Sequence, residues 1–330
     1  MSLSPQMAHS LNHCFLLSLL LFSFPTVLSL PRKPLFLVPT ASPVLEYHRG
    51  PLLTNPINVY ILYYGHFHLS RKYAIADFFA SFLSPNTATP SVQTWWRTAL
   101  SYTDLSRRPV SNNISLAGMA SDLACSAGKT LTRNQLPLLI KAAMRKQTLP
   151  MDPSGLYLIL TSDDTIVERF CMSSCGTHGA LLLPRPGPKT GVDKTGGRAV
   201  WAWVGDPSKQ CPGLCAWPYA KPLWGPPSVL MAPGGDVGLA GMVINVATML
   251  VGSATNPYGD GFYEGDPLVP VEASTACPGL YGKDGFAGYP GTLLVDPTTN
   301  ASFNAYGVGS HIFLLPAIWD PLTRKCKANV

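Results

Sequence analysis

The sequence predicts an α/β domain in which a central sheet packs against helices. Two apolar segments, 57–64 and 155–161, have the continuous hydrophobicity of strands that are covered on both faces of a sheet. Between them lie segments with the apolar spacing of helices, and this strand–helix–helix–strand order is typical of an α/β layer structure. No repeat or linker interrupts the 330 residues. We therefore predict a single layered domain with a loop-rich, disulfide-stapled C-terminal half.

The composition excludes some classes of protein. With 46% hydrophobic residues the chain can bury a sizeable core, so it is not a disordered protein. The net charge is +6, but lysine and arginine are scattered without a basic run or a basic helix face, so we expect no nucleic-acid partner. A mildly basic protein of this kind attracts acidic polysaccharide only weakly and without specificity.

The N-terminus, residues 1–29, predicts a secretory signal peptide. The apolar run 14–28 is too short and too interrupted for a membrane span, and Val27 and Ser29 are small enough for cleavage after Ser29. The residues ahead of this run contain no lysine or arginine, which is unusual for a signal. A proline-rich, basic leader at 30–44, which we expect to be mobile, then precedes one domain at 45–330.

The other elements follow in order along the chain. A helix capped by Ser70 comes after the first strand, and a second helix at 91–100 contains adjacent tryptophans, of which only one needs to be core. The later segments have the apolar spacing of strands or helices. They are a short strand at 113–116, a helix at 133–146, a strand at 199–204, a helix at 237–254 and short strands at 293–295 and 312–315.

The helix predicted at 237–254 is the central element. Asp236 is suited to cap its N-terminus, and Pro257 is suited to end it. It carries no charge, and a helix that is apolar on every side is either buried or spans a membrane. Its glycines and polar residues, such as Asn245, favour a buried helix. We therefore predict no transmembrane segment.

Cysteines and sequons also predict an extracellular protein. Seven cysteines remain once Cys14 leaves with the signal, and in an oxidising compartment they predict disulfides whose pairing stays open, with Cys125 as the odd one. The alternative is a zinc site formed by Cys171, Cys175, Cys211 and Cys215 with His178, but its Cys-x-x-x-Cys spacing is less usual for zinc than Cys-x-x-Cys. The six disulfide candidates are Cys171, Cys175, Cys211, Cys215, Cys277 and Cys326. The sequons at Asn113 and Asn300 are expected on surface loops.

Two groups of polar side chains could carry chemistry, and each has a structural alternative. Asp163, Asp164 and Glu168 follow a strand end and would serve a glycoside hydrolase as acids, or would form a turn with a helix-capping aspartate. His66 and His68 would either hold a metal ion or lie in a loop, and the loop is favoured because no third ligand is near in sequence.

His178 and the tryptophans are further candidates. The segment Cys175-Gly-Thr-His-Gly179 predicts a tight loop held by Cys175, in which His178 has a structural hydrogen-bonding role. Four tryptophans would form a sugar-stacking surface or belong to the core beside the disulfides. They are Trp201, Trp203, Trp217 and Trp224.

Several long motifs resemble those of a known plant family. They lie at 45–54, 57–67, 165–179, 203–205, 210–218, 234–257, 276–279 and 315–321. Together they make the chain, over 45–330, similar to the EXORDIUM family, also called phosphate-induced protein 1. The resemblance implies an apoplastic, cell-wall-associated protein linked to cell expansion and growth signalling, with no established catalytic activity. Cys125 and the pair Tyr63-Tyr64 depart from the family pattern.

The resemblance also implies a zincin-like fold. Some branches of the family carry His-Glu-x-x-Glu in the central helix, which resembles the metal-binding motif of zincins. Aligned without a gap, these positions are Thr248, Met249 and Gly252, none of which supplies a usual ligand or a base. Glu272 is a remaining acidic partner that cannot hold a metal alone. We therefore predict a degenerate site with no metal, no cofactor and no catalytic residue.

The function predicted from the sequence is that of a secreted, non-enzymatic protein of the plant cell wall. Its expected partners are cell-wall polysaccharide or an apoplastic receptor. Two other functions stay open. One is a polysaccharide-binding protein that uses the tryptophan-rich segment, and the other is a hydrolase that uses the acids at 163–168 or His178.

Overall fold

The structure is a computed structural model that describes residues 43–85, 88–172, 174–184, 195–223, 229–286 and 288–330. The segment Pro43–Val330 forms one compact unit. The predicted signal and leader lie outside the described residues, as does Trp224.

Strands account for most of the regular elements. They are, in chain order, β1 (Glu46–Tyr47), β2 (Ile57–Tyr64), β3 (Ile114–Asp122), β4 (Thr130–Leu131), β5 (Gly155–Thr161), β6 (Ile166–Val167), β7 (Gly176–Pro184), β8 (Thr195–Gly205), β9 (Phe262–Tyr263), β10 (Leu294–Val295), β11 (Ser302–Phe303), β12 (Ala305–Tyr306), β13 (Ile312–Phe313), β14 (Ile318–Asp320) and β15 (Lys325–Lys327). The helices are α1 (Leu69–Ala80), α2 (Val92–Trp96), α3 (Leu136–Arg145), α4 (Pro212–Cys215) and α5 (Val237–Thr255). Single 3-10 turns occur at Ala99–Ser101, Arg133–Gln135, Pro233–Gly235 and Val308–Ser310.

The centre of the unit is a five-stranded sheet in the order β3-β2-β5-β8-β7. The first four strands are parallel, and β7 runs antiparallel to β8 at the edge. Strands β2 and β5 are largely apolar and almost entirely buried, as is typical of strands with helices over both faces of the sheet. The predicted α/β class with a central sheet is therefore confirmed.

Two hydrophobic layers lie on opposite faces of this sheet. One layer joins β2, β5 and β8 to α1, α2 and α5, and both Trp95 and Trp96 are buried in it at 2% exposure. The other layer places α3 over side chains such as Tyr157, Ile159 and Trp203. The alternation of side chains along each strand assigns neighbouring residues to different layers.

Several predicted boundaries were wrong. The segment after Cys175 is not a tight loop but the start of strand β7, whose glycines and polar residues hide the strand pattern. Helix α1 begins at Leu69, with His68 at the N-cap and no side-chain cap, so Ser70 is not its cap. Strand β3 runs to Asp122, well beyond the predicted 113–116.

Helix α5 packs against β8 and β7 and forms the core of one layer. Asp236 caps it as predicted, because its carboxylate accepts a hydrogen bond from the Leu239 amide at 2.9 Å. Among the described residues it is the one helix long and apolar enough to cross a membrane, but 72% of that stretch is buried inside the protein. Asn245 further fixes the helix by donating to the carbonyl of Cys215 at 2.8 Å.

Gly241 allows α5 to approach the segment after α4 closely. A Cβ at this position would lie 2.6 Å from Cβ of Ala216 and 2.8 Å from the carbonyl oxygen of Cys215. We expect Gly241→Ala to lower the free energy of unfolding by about 2 kcal/mol, because overpacking at a backbone contact outweighs the better helix propensity of alanine. Urea unfolding measures this, and an unchanged or raised midpoint would contradict the tight contact.

Three disulfides staple the C-terminal half. They join Cys171 to Cys211, Cys175 to Cys215 and Cys277 to Cys326. The first two disulfides lie side by side. Cys171 and Cys175 precede β7, Cys211 directly precedes α4 and Cys215 ends α4, so the two bridges tie the segment before β7 to α4. Because these four sulfurs are bonded in pairs, they are not available as thiolate ligands, and the zinc alternative is wrong.

Cys125 is the free cysteine of the described residues, and it is buried beside α3. Burial raises the pKa of its thiol, so little thiolate forms near neutral pH. We expect a protein that lacks residues 1–29 to yield one thiol after denaturation and to react slowly with alkylating reagents when native. The Cys125→Ser variant should yield none, whereas additional thiols in either protein would contradict the three disulfides.

Candidate functional site

A buried polar cluster lies where α5, β7 and the segment after β9 meet. His178 of β7 and Glu272 are 94 positions apart in the sequence, yet His178 Nε2 lies 2.8 Å from Glu272 Oε2 and 3.1 Å from Oε1. Each side chain is only 9% exposed. The antiparallel course of β7 places His178 at the sheet edge facing the end of α5.

Other groups hold Glu272 in this orientation. Asn256, at the C-terminal end of α5, donates from Nδ2 to Glu272 Oε1 at 2.7 Å. The same Asn256 accepts from the amide of Gly261 at 2.8 Å, which fixes its amide group. The backbone amide of Glu272 donates to Thr275 Oγ1 at 2.7 Å. The carboxylate is therefore oriented by two side-chain donors and by its own turn.

Gly252 of α5 faces this cluster directly. A Cβ built on Gly252 would lie 2.8 Å from His178 Nε2 and 2.9 Å from Glu272 Oε2. No side chain fits there while His178 and Glu272 stay in contact. The position at which the resemblance implies a metal ligand is thus filled by the partner side chains themselves.

The other two positions of the expected motif supply no ligand either. Thr248 lies one turn before Gly252, and its hydroxyl donates to the carbonyl of Ile244 at 2.9 Å. Met249 is 8% exposed, and its side chain lies against Gly176 of β7. Among the described residues, no group of three or more His, Cys, Asp or Glu side chains is placed to hold a metal ion.

A cleft of about 420 Å³ opens beside the cluster. One wall is formed by residues 176–180 of β7, and the other by Tyr258 and the loop 267–270. Arg133 and Arg169 lie among its lining residues. The cleft therefore joins a strand edge, a partly apolar wall, two cationic side chains and the cluster of His178, Asn256 and Glu272 itself.

A second, more polar crevice of about 520 Å³ lies at the carboxyl ends of β2, β5 and β8. Its base is an ion-pair network in which Arg71 donates two hydrogen bonds to Asp236, both of 2.7 Å, and also pairs with Asp206. This network ties α1 to the segment after β8 and to the N-cap of α5. We assign it a structural role, because each charge already has a partner.

The predicted acids are engaged in separate contacts. Asp163 pairs with Lys209 at 3.0 Å, and Asp164 pairs with Lys129. The hydrogen bond from Lys129, followed by the one from Ser162, lowers the pKa of Asp164. Glu168 does not line the crevice. Its carboxylate accepts from the backbone amide of Arg133 at 3.1 Å.

His66 and His68 both border the crevice, with ring centroids 5.8 Å apart in an edge-to-face arrangement. Both side chains are exposed. They follow the end of β2, as the loop alternative in the sequence expects. Among the described residues, no third His, Cys, Asp or Glu side chain completes a metal site with this pair.

The three candidate tryptophans within the described residues do not form a common surface. Trp203 is fully buried under Phe170, and its indole N–H donates to Thr161 Oγ1 at 3.0 Å. Trp201 is partly buried against the same layer. Trp217 packs instead in a separate cluster, at 5.9 Å between ring centroids from Tyr281. These three positions favour the core alternative over a sugar-stacking surface.

Sequence reasoning missed that His178 and Asn256 belong with Glu272. The local sequence predicts a loop at His178, and its contact with Glu272 depends on the edge position of β7, which no local pattern reveals. Asn256 precedes Pro257, and its role as a fixed hydrogen-bond donor depends on the turn through Gly261. The glycines around His178 were the one local signal of a close backbone approach.

Comparison with known proteins agrees with the motifs. Residues 45–329 match the family model described as the phosphate-induced protein 1 conserved region. The chain is 42% identical to Protein EXORDIUM of Arabidopsis thaliana over 301 residues, which cover 88% of this chain and 91% of that protein. It is 39% identical to Protein PHOSPHATE-INDUCED 1 of Nicotiana tabacum over 323 residues, which cover 97% and 99%. No solved structure matches. The chain therefore belongs to the EXORDIUM, or phosphate-induced protein 1, family of plant proteins.

Proposed function

We propose that this chain is a secreted, non-enzymatic protein of the plant cell wall, with a zincin-like fold in which the metal site has been lost. The observation that carries the proposal is the contact of His178 with Glu272 over Gly252. A side chain at position 252 would collide with both. The site is therefore packed for a direct hydrogen bond and has no room for a ligand from α5.

The surroundings of His178 also bear on the proposed loss of a metal. His178 Nδ1 is buried without a hydrogen-bond partner among the described residues, whereas Nε2 faces the carboxylate of Glu272. A proton on Nε2 is what allows the neutral ring to donate to that carboxylate. With that proton in place the ring lone pair lies on Nδ1, and the described residues assemble no group of three metal-binding side chains around it.

Secretion and a role in growth extend this proposal. Disulfides form and persist in oxidising compartments, so the three bridges support an extracellular location. Both sequon asparagines, Asn113 and Asn300, are exposed and accessible to glycosylation. The part in cell expansion and growth signalling rests on family membership, and the ligand would be wall polysaccharide or a receptor.

The geometry gives less support to the two rival functions. A general acid for glycoside hydrolysis needs a raised pKa, but the pKa of Asp164 is lowered by Lys129. A lectin that stacks sugars needs exposed aromatic faces, but Trp203 is fully buried. We therefore propose neither function for this chain.

Turnover assays test the absence of catalysis. The purified chain is incubated with a degenerate fluorogenic peptide library and with a panel of cell-wall glycans, each with and without added zinc. We expect no product above that of a Glu272→Gln variant. Product formed by the wild type and lost in that variant, or in Asp164→Asn, would overturn the proposal.

Secretion is tested separately by expression in plant cells. We expect the protein in the medium or the wall fraction, with Leu30 as its first residue. An intracellular protein that retains residues 1–29 would contradict the proposed location.

A further inference from the structure

Strand β7 presents an unprotected edge. It is the last strand of the sheet, and no described strand pairs with its outer side. Natural edge strands are usually blocked by lysine, proline, a bulge or a covering segment. Pro184 and an irregularity in the pairing between Leu182 and Pro184 interrupt the C-terminal end of β7, but between Gly176 and Leu182 the strand has no Lys, Arg, Asp, Glu or Pro. Such an edge offers backbone donors and acceptors to a further strand.

The cleft of about 420 Å³ follows this edge. Five consecutive residues, 176–180, line it. Since successive side chains in a strand point to opposite faces, five in a row border one cavity only if the cavity runs along the edge. Gly179 adds little bulk and permits close approach of another backbone. The cleft is therefore shaped for an extended chain.

The opposite wall is suited to side chains of that extended chain. It is made by the loop 267–270, whose Leu268 and Val269 are 89% and 74% exposed, together with Tyr258. Side chains that alternate along a bound strand would meet these apolar groups on one face.

The N-terminal end of β7 is positively charged. Arg133 donates to Ser174 Oγ and lines the cleft together with Arg169. No carboxylate of the described residues forms an ion pair with either guanidinium. Burial, followed by the charge of Arg169, lowers the pKa of Arg133, whereas the charge of Glu168 raises it, so both charged side chains lie near this guanidinium. Two guanidinium groups therefore lie near one carboxylate, that of Glu168, which leaves this end of the cleft with an excess of positive charge.

We propose that β7 binds an extended peptide as a sixth strand, antiparallel to β7, with a carboxylate at the peptide's C-terminal end held by Arg169 and Arg133. The antiparallel direction follows from charge. A parallel peptide would bring its N-terminal ammonium group to the arginines, whereas an antiparallel one brings its C-terminal carboxylate. Backbone pairing supplies affinity, and the apolar wall supplies preference among side chains.

A peptide ligand narrows the choice between polysaccharide and receptor that the proposed function leaves open. The inference rests on the proposed function in one respect, because a non-enzymatic protein is expected to leave the bound peptide intact. An acidic oligosaccharide would also meet the arginines, but it has no amides to pair with the β7 edge. The two kinds of ligand are therefore separable by experiment.

The test uses the full secreted chain, immobilised, and a degenerate library of acetylated hexapeptides that end in aspartate with a free carboxylate. Retained peptides are identified by mass spectrometry, and the best one is resynthesised. We expect binding to weaken about tenfold or more when the peptide loses both carboxylates, by amidation of its C-terminus and replacement of its aspartate with asparagine. The protein variant Arg169→Gln should weaken binding to a similar extent. Arg145→Gln, an exposed residue of α3 away from the cleft, is the matched control and should bind as the wild type does.

N-methylation tests the backbone pairing itself. In an antiparallel pair, every second residue of the peptide directs its N–H group to β7. Methylation of those amides should weaken binding on the order of 100-fold, whereas methylation of the intervening amides, which point away from β7, should leave binding intact. Equal effects in both frames, or no peptide retained above the Arg169→Gln variant, would overturn the proposal. Tetragalacturonate binding that depends on Arg169, without any peptide binding, would assign the cleft to an acidic saccharide instead. Cleavage of retained peptides would contradict the non-enzymatic function alone.

Discussion

Replacing Glu272 with alanine is expected to lower the free energy of unfolding by about 3 kcal/mol, because buried hydrogen bonds to a carboxylate are lost and the smaller side chain leaves a cavity. The substitution leaves His178 and the Asn256 amide without their acceptor in a site where the side chains of His178 and Glu272 are each 9% exposed. Buried donors without partners lose the hydrogen bond and are not rehydrated. Urea unfolding at neutral pH measures the change.

A double-mutant cycle separates this contact from other effects of the substitution. His178→Ala and the double variant complete the cycle, and we expect a coupling free energy of about 2 kcal/mol between the two positions. Glu46→Ala, on an exposed side chain that makes no hydrogen bond with the described residues, is the matched control and should change stability little. A coupling near zero would show that the His178–Glu272 contact does not hold the cluster together.

Removing the disulfide between Cys277 and Cys326 by a double alanine substitution should lower the free energy of unfolding by about 4 kcal/mol. The bridge closes a loop with a sequence separation of 49, so its loss adds considerable freedom to the unfolded chain. Cys277 is also 1% exposed in the main hydrophobic layer, where two smaller side chains would leave space.

The paired disulfides provide the comparison for this prediction. Cys171–Cys211 and Cys175–Cys215 both have a sequence separation of 40 and lie side by side. If Cys171 and Cys211 are replaced, the second bridge still closes almost the same loop, so we expect a clearly smaller loss of stability than for Cys277 and Cys326. Thermal unfolding of both double variants measures the difference, and equal losses would contradict the account based on loop entropy.

The centre of the fold was predictable from local sequence. Strands β2 and β5 and helix α5 are mostly buried, so their sequences are long and predominantly apolar. The edge strand β7 was not predictable in the same way. It contains Gly176, Thr177 and Gly179, it borders a cleft, and its sequence therefore lacks a continuous apolar pattern.

The candidate site was predictable only in part. The family resemblance drew attention to Gly252 and Glu272, and the structure brings these two together. The third residue of the cluster, His178, belongs to a strand at the edge of the sheet. It is 94 positions from Glu272 in the sequence, and a contact between such distant residues leaves no periodic signal in one sequence. The odd cysteine could be identified as Cys125 because it stands apart from the clustered six.

Metal analysis of the purified, secreted protein tests the central claim most directly. The protein is dialysed against zinc, freed of unbound metal and measured by mass spectrometry, with His178→Ala as the control. The account predicts no stoichiometric zinc in either protein and no rise in Tm on addition of zinc. One zinc per chain that disappears with His178→Ala would contradict it, because His178 and Glu272 would then be ligands and not each other's partners.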